Sequence, residues 1–247
     1  METYQDLDGI FFDLGGTLRI QLHNDAYQHD ARCHLAALAG SDMDSEAFFE
    51  LMNEHYVPYR TWAFDTNREA NDFDLWHKWM LPECDEALIR ENCHQLSFWY
   101  RQCPGYRVVS KHAPETIKEL HRRGYKLGII SNLIGENEIQ DWLRDDDLEK
   151  YFETVVVSAR CGLRKPGPDI YWLAAEQLGV PVEKCASVAD NLDRDITGAK
   201  EARVGKNILY ISKEKYEKKK DGITDANRPD VFISDFLELL ELFPARK

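Results

Sequence analysis

Polar residues suited to catalysis or ion binding stand at the ends of several short apolar runs. Asp13 follows GIFF, Ser131 closes KLGII, and Asp190 follows CASVA, with Asp195 five residues further on. Lys165, in GLRKPGPDIY, comes shortly after another run, TVVVS. If these runs are parallel strands, their carboxyl ends meet at one edge of a sheet, which is where ligands of such sheets bind. The spacing therefore predicts a reactive site that contains an exposed Asp13.

Each of these residues also has a purely structural explanation. Ser131 or its neighbour Asn132 could cap a helix, and Asp195 could be the N-cap of the helix that follows it. Lys165 could lie in a solvent-exposed loop. Because all of them arrive at successive strand ends, we favour a shared chemical role.

The elements that must position these residues can also be read from the pattern. Six runs rich in β-branched residues predict strands, with helical stretches between them. Their apolar residues are continuous rather than alternating, which is typical of strands covered on both faces. We therefore predict an α/β fold, an open parallel sheet with helices on both faces. The runs cover residues 9–13, 126–132, 154–158, 185–190, 206–212 and 230–234.

The segment between the first two runs lacks a strong strand signal and is rich in aromatic residues. It predicts an inserted α-helical subdomain over residues 19–105, within a core of residues 1–18 and 106–247. Hinges are expected near residues 19–22 and 103–105. We expect the aromatic side chains to pack between the inserted helices rather than to stack on a ligand. These side chains include Trp62, Phe64, Phe73, Trp76 and Trp79.

The composition excludes several partners. The chain carries 31 basic and 44 acidic residues, a net charge of −13 that repels a nucleic-acid backbone. A basic run over 213–222 is most simply a solvated helix end or loop. Six cysteines without a CxxC pair, and the lack of an apolar leader or membrane span, predict a reduced cytoplasmic protein with no membrane partner. A homodimer is left open.

The constellation resembles the haloacid dehalogenase-like (HAD) hydrolase superfamily over nearly the whole chain. The first motif of that family is Asp-x-Asp-Gly-Thr. Asp13, Gly16 and Thr17 match it, whereas Gly15 stands in place of the second Asp. The inserted segment is similar in size and place to the helical cap of many family members.

The remaining motifs follow in the family's order. Ser131 in IISNL matches the second motif, and Lys165, followed by proline, matches the third. The acidic residues Asp190 and Asp195 in ADNLDRDITGA match the fourth. Four motifs in order, with a long insertion after the first, make the resemblance highly specific.

The resemblance implies a nucleophile and a metal site. Asp13 would attack a small phosphorylated substrate and form an aspartyl-phosphate intermediate. Mg²⁺ would be bound by the carboxylates of Asp13 and Asp190, by the main-chain carbonyl of Gly15 and, directly or through water, by Asp195.

The resemblance also implies a phosphate site. A carboxylate and a phosphate repel each other, so positive charge and hydrogen-bond donors are needed. Ser131 and Lys165 would supply them as catalytic residues. The loop residues Gly16 and Thr17 would bind the phosphate as well, with Asn132 beside Ser131 as its orienting neighbour.

Gly15 is where the sequence departs from the family. In the phosphatases of the family, the side chain at this position protonates the leaving alkoxide and then activates water. General acid–base catalysis of this kind contributes about 10²- to 10⁴-fold. The favoured hypothesis is a Mg²⁺-dependent phosphohydrolase with an impaired or altered acid–base step. Its leaving group would need little protonation, or an acid would come from elsewhere, such as His23 or Asp25.

Two alternatives remain open. Other branches of the family that lack this Asp cleave carbon–halogen or carbon–phosphorus bonds. Asp190 and Asp195 argue against a metal-free dehalogenase, and the known phosphonate chemistry needs a cap lysine, for which Lys78 is the one candidate within 19–105. The second alternative is a non-catalytic homologue that binds a phosphorylated ligand. The presence of Asp13 and Lys165 argues for remaining chemistry.

Overall fold

The computed structural model describes residues 3–246 and is organised around a six-stranded parallel sheet of order β5-β4-β1-β6-β7-β8. All six runs predicted to be strands form this sheet. The remaining strands, β2 and β3, pair antiparallel as a separate ribbon. In chain order the strands are β1 Gly9–Phe12, β2 Arg19–Leu22, β3 Tyr106–Val109, β4 Lys126–Ser131, β5 Thr154–Val157, β6 Cys185–Ala189, β7 Lys206–Tyr210 and β8 Val231–Ile233.

Helices cover both faces of the sheet and fill the segment between β2 and β3. They are α1 Asp25–Leu38, α2 Ser45–Thr66, α3 Asp72–Leu75, α4 Glu86–Gln102, α5 Ala113–Arg122, α6 Glu138–Asp145, α7 Ser158–Cys161, α8 Asp169–Leu178, α9 Thr197–Glu201, α10 Lys213–Lys219 and α11 Leu239–Leu242. Among residues 3–246, no helix is both long enough and apolar enough to cross a bilayer. The basic run over 213–222 forms α10 and the turn after it, and most of its side chains are exposed.

The register of the sheet brings three strand ends together. β1 lies between β4 and β6, and Phe12 is level with Ile129 on one side and Val188 on the other. Asp13, directly after β1, donates its backbone N–H to the carbonyl of Val188 at 2.9 Å. Residues that follow β1, β4 and β6 therefore share one edge of the sheet.

Successive residues of β1 enter different apolar layers. Ile10 and Phe12 belong to one buried cluster, and Phe11 belongs to another that also contains Ile170 of α8. Because side chains alternate across a strand, this division shows that both faces are covered by helices. The prediction of a doubly covered α/β sheet is confirmed.

The helical insertion, residues 25–102, has an apolar core of its own. Tyr59, Trp76 and Met52 are fully buried in it, and Trp62, Phe73 and Trp79 pack against it. This agrees with a packing role for the aromatic residues. Phe64 differs, since it is 46% exposed and lies beneath the guanidinium groups of Arg60 and Arg164.

Candidate active site

Asp13 is buried, contrary to the expectation of an exposed carboxylate, because β1 is central and its end is covered. Only 5% of the residue is exposed. Its Oδ1 accepts a hydrogen bond from Lys165 Nζ at 2.6 Å. Its Oδ2 is buried and has no hydrogen-bond partner among the described residues. One carboxylate oxygen is thus hydrogen-bonded to Lys165, and the other has lone pairs available to react or to bind an ion.

Lys165 is a buried site residue and not a loop lysine, with 2% of it exposed. Its ammonium contacts Asp13 Oδ1 and Asp195 Oδ1, both at 2.6 Å, and donates to the carbonyl of Ile130 at 3.0 Å. The Asn132 amide clamps its backbone, donating to the Lys165 carbonyl at 2.8 Å and accepting from its N–H at 2.9 Å. Asn132 therefore positions Lys165.

Three carboxylates form the acidic part of the site. Ligand oxygens of Asp13, Asp190 and Asp195 all lie within 4.8 Å of one another. Asp190 Oδ1, like Asp13 Oδ2, is buried without a hydrogen-bond partner among the described residues. Buried carboxylate oxygens without partners carry a large desolvation cost unless a cation satisfies them. This oxygen-only donor set fits Mg²⁺, which prefers carboxylates and water.

Asp195 does not cap a helix. It lies in a π-helical turn, residues 192–196, that leads into α9, and the side chain of Asn191 caps that turn through Arg194 N–H at 2.9 Å. Its fully buried carboxylate instead binds Lys165 and Arg194. The backbone carbonyl of Asp195 accepts a hydrogen bond from the Tyr171 hydroxyl at 2.9 Å, which holds this turn against α8.

Arg194 is a site residue that the sequence analysis did not single out. Its Nη2 lies 2.8 Å from Asp195 Oδ2 and 3.7 Å from both Asp13 Oδ2 and Asp190 Oδ1. The guanidinium therefore compensates part of the negative charge of all three carboxylates. Arg194 lies inside the fourth motif, one residue before Asp195, and this position could have identified it as a site residue.

The charges separate the pKa values of the three acids. Burial raises the pKa of the Asp13 carboxyl, and the Lys165 ammonium opposes this rise. Burial, with the charges of Asp13 and Asp195, raises the pKa of Asp190 to about 6. Burial alone would raise the pKa of Asp195 too, but Lys165 and Arg194 lower it. A divalent cation would favour the ionised form of all three.

The loop after Asp13 explains which glycine the fold requires. Gly16 has φ of +84°, and a Cβ there would lie 2.2 Å from Asp190 Oδ2, so no other residue fits. Gly15 is exposed, and a Cβ there would meet no atom within 4 Å. The Gly16 N–H donates to the Arg19 carbonyl at 2.8 Å, and Thr17 is fully buried with a hydroxyl that has no hydrogen-bond partner among residues 3–246. Because the space around Gly15 is open, the fold tolerates a side chain at that position.

Ser131 is the last residue of β4 and is 2% exposed. It is level with Val157 of the neighbouring strand. The residue before it, Ile130, supplies the carbonyl that binds Lys165 Nζ. Ser131 is therefore held at the same strand end as the Lys165 ammonium.

The residues considered as substitutes for a catalytic acid or amine lie in exposed positions. His23 and Asp25 pair with each other at 2.8 Å, and their side chains are 72% and 95% exposed. Lys78 is 54% exposed and forms an ion pair with Asp74 at 3.1 Å. The Lys78 amine is solvated and paired, which removes the structural support for a desolvated imine-forming lysine.

The sequence is similar to several characterised hydrolases. Residues 7–203 match the haloacid dehalogenase-like hydrolase family. The glyceraldehyde 3-phosphate phosphatase of Methanopyrus kandleri is 26% identical over 241 residues, which cover 96% of this chain and 97% of that protein. The same-named protein of Pyrococcus furiosus is 31% identical over 60% of this chain and 58% of its own length. N-acylneuraminate-9-phosphatase of Mus musculus is 22% identical over 95% of this chain and 90% of its length.

Solved structures with the same architecture include a 2-haloacid dehalogenase from Pseudomonas syringae pv. Tomato DC3000. Its TM-score is 0.64 at 19% identity, with 96% of this chain and 97% of that chain covered. A HAD phosphatase from Thermococcus onnurineus has a TM-score of 0.58 at 22% identity, with 95% and 97% covered. At these identities the likeness establishes a common fold.

Proposed function

The chain belongs to the haloacid dehalogenase-like hydrolase family, and we propose that it is a Mg²⁺-dependent phosphatase of small phosphorylated metabolites with Asp13 as nucleophile. The observation that carries the proposal is the asymmetry of this carboxylate: Lys165 binds Oδ1 at 2.6 Å, while Oδ2 is buried and accepts no hydrogen bond from the described residues, with Arg194 3.7 Å away. The relatives named as phosphatases of glyceraldehyde 3-phosphate and N-acylneuraminate 9-phosphate support a phosphate ester as substrate.

In the proposed reaction, Asp13 Oδ2 attacks the phosphorus atom and the bond from phosphorus to the leaving alcohol oxygen breaks. The product is an aspartyl phosphate, and the leaving oxygen departs with the bonding electron pair as an oxyanion, which takes a proton from solvent afterwards. Water then attacks the phosphorus, inorganic phosphate leaves, and the Asp13 carboxylate is regenerated. Lys165 and Ser131 would stabilise the charge on the transferring phosphoryl oxygens.

The three carboxylates of Asp13, Asp190 and Asp195, with the Gly15 carbonyl, would hold Mg²⁺. When bound, the ion neutralises the repulsion between the attacking carboxylate and the phosphate. Arg194 would act with it by compensating the remaining negative charge of Asp195, which it contacts at 2.8 Å.

The absence of a carboxyl side chain at position 15 shapes the substrate preference. An alkoxide leaving group needs a proton. The rate gained from a general acid therefore increases with the basicity of the leaving oxygen, and an activated leaving group gains little. We therefore propose an activated substrate, such as an acyl or aryl-like phosphate. His23, which lies in an exposed pair with Asp25, is not the replacement acid in this proposal.

We further propose that residues 19–105 form a cap on a core of residues 1–18 and 106–247. The β2–β3 ribbon joins the two and would be the hinge, since it is the covalent connection at both ends of the helical insertion. Closure would exclude water from the phosphoryl transfer.

The six cysteines are free thiols, which supports a reducing, cytoplasmic location.

The decisive test is Mg²⁺-dependent phosphate release by the parent protein and by Gly15→Asp. The two substrates are p-nitrophenyl phosphate, which has a good leaving group, and glycerol 3-phosphate, which has a poor one. We expect the parent to cleave the aryl ester, and Gly15→Asp to gain about 10²-fold on the alkyl ester. The open space around position 15 makes this substitution structurally neutral.

Gly222→Asp is the matched control, because a Cβ there also meets no atom within 4 Å and the position is far along the chain from the motifs. It should leave both rates unchanged, and Asp13→Asn should abolish them. Failure of both the parent and Gly15→Asp to release phosphate from either ester would overturn the phosphatase proposal.

A further inference from the structure

A cavity of about 470 Å³ lies between the helical insertion and the loops that follow β4 and β5. On its core side are Asn132 and Arg164, which are neighbours in sequence of Ser131 and Lys165. Phe49 and Tyr56 of α2 line the opposite side. Cavities of this size between two bodies of a protein are typical binding places for small organic molecules.

Three guanidinium groups border this cavity, and two of them have a carboxylate partner. Arg101 binds Glu138, and Arg164 binds Glu69. Arg107 has no ion pair with a carboxylate among residues 3–246. One positive charge at the cavity is therefore without a counterion.

The surroundings of Arg107 make this missing partner costly. Burial, and then the positive charge of Arg101, lower its pKa to about 10. The nearby carboxylate of Glu138 offsets only part of this effect, since it is already held by Arg101 and Gln102. A desolvated cation beside a second cation is stabilised when an anion enters the adjoining space.

Arg107 also has hydrogen-bonding capacity in reserve. Its Nη1 donates to the carbonyl of Arg101, and its Nη2 donates to Gln21 Oε1 at 3.4 Å. A guanidinium has five N–H donors, so donors remain for a ligand. Its planar fork suits a carboxylate, and its single uncompensated charge matches one carboxylate charge better than a phosphate dianion.

We infer that Arg107 binds a carboxylate carried by the leaving group of the phosphorylated substrate, so that the preferred substrates are phosphorylated carboxylic acids. This inference rests on the proposed phosphatase function, which places the phosphoryl group at Asp13. The leaving group would then lie in the cavity lined by Asn132 and Arg164, the sequence neighbours of Ser131 and Lys165. The aromatic side chains of Phe49 and Tyr56 in the cavity wall lower the local polarity, which strengthens such an ion pair.

The test compares two ligands that differ at one carbon. 3-Phosphoglycerate carries a carboxylate where glycerol 3-phosphate carries a hydroxymethyl group. Their dissociation constants are measured by calorimetry on Asp13→Asn with Mg²⁺, so that no turnover occurs. A charged hydrogen-bonded contact predicts about 10- to 100-fold tighter binding of 3-phosphoglycerate. Adding Arg107→Gln should reduce that ratio to below about threefold.

Arg160→Gln is the matched control, because Arg160 is exposed and its guanidinium contacts the amide oxygens of Asn137 and Gln140 rather than a carboxylate. It should keep the full ratio. If Arg107→Gln does not fold, Arg107→Lys replaces it and should lower the ratio at least threefold, since a point charge loses the bidentate geometry.

Equal dissociation constants on the Asp13→Asn background, or a ratio that survives substitution of Arg107, would overturn the inference. Failure of the phosphatase proposal gives a different result. In that case the unsubstituted protein releases phosphate from neither ester, while the preference for 3-phosphoglycerate in binding persists and still depends on Arg107.

Discussion

Lys165 sets the chemistry of Asp13 at the scale of single residues. By binding Oδ1 and the Ile130 carbonyl together, its ammonium anchors one carboxylate oxygen, while Oδ2 accepts no hydrogen bond from the described residues. The amide of Asn132 in turn holds the Lys165 backbone. The nucleophile is thus oriented by a chain of contacts that begins at Asn132, directly after the neighbouring strand β4.

The raised pKa of Asp190 leads to a prediction about stability and pH. In the metal-free native protein this carboxyl keeps its proton up to about pH 6, whereas in the unfolded chain it releases it near pH 4. At this group the native state therefore binds more protons across this window, and the contribution of Asp190 to the free energy of unfolding should fall as pH rises from about 4 to 6. Urea denaturation in the presence of a chelator measures this slope.

Asp190→Asn is the comparison for this prediction, since it removes the titrating group and keeps its shape. The difference in unfolding free energy between the parent and Asp190→Asn should change across that pH window and be flat above it. A difference that is independent of pH would show that Asp190 titrates normally in the native state.

Buried carboxylates join the helical insertion to the sheet at the scale of elements. The Glu69 carboxylate, between α2 and α3, accepts hydrogen bonds from Tyr59 and from Ser158 of α7, and pairs with Arg164. Asp72, at the start of α3, accepts from the backbone N–H groups of Gly135 and Glu136 at 3.0 and 3.1 Å. These contacts hold the helical insertion against the loops that carry the site.

We expect Glu69→Gln to destabilise the protein by about 3 kcal/mol, because it leaves the Arg164 guanidinium without its buried counterion. Activity should fall as well, since Arg164 immediately precedes Lys165. Denaturant unfolding monitored together with phosphate release measures both effects.

Glu54→Gln provides the comparison, because Glu54 is exposed on α2, and such surface changes usually stay within about 0.5 kcal/mol. If Glu69→Gln were as stable as Glu54→Gln, the ion pair with Arg164 would not be what joins the insertion to the sheet.

At the scale of the whole molecule, a chain with a net charge of −13 places three basic side chains around one cleft. Lys165 and Arg194 lie among the site carboxylates, and Arg107 borders the adjoining cavity. This local charge opposes the long-range repulsion of an anionic substrate.

Mg²⁺ should stabilise the entire fold, because the ion would bind the assembled carboxylates and not the unfolded chain. At a concentration about 100 times its dissociation constant, the gain is about 2.7 kcal/mol, visible as a rise in the melting temperature. Thermal unfolding at pH 7.5 with increasing Mg²⁺ measures this. Asp190→Asn should lose the effect, and a rise that persists in that variant would place the ion elsewhere.

The sequence by itself determined the parallel sheet, the helical insertion and the positions of the motif residues. This was possible because strand periodicity and motif spacing are local properties, and because parallel strands bring their carboxyl ends to one edge. Asp13, Lys165 and the two fourth-motif acids could therefore be placed near one another from the sequence.

Only the tertiary structure decided how the side chains are used. Three features depend on contacts between distant segments of the chain. They are the burial of Asp13, the hydrogen bonds from Asn132 to Lys165, and the position of Arg194 beside the site carboxylates. A sequence pattern does not show which basic side chain lacks an ion-pair partner. Arg107 could therefore be recognised only from the positions of the carboxylates around the cavity. Burial and ion pairing of a side chain are set by residues that folding brings together from distant parts of the chain, so they become known only with the tertiary structure.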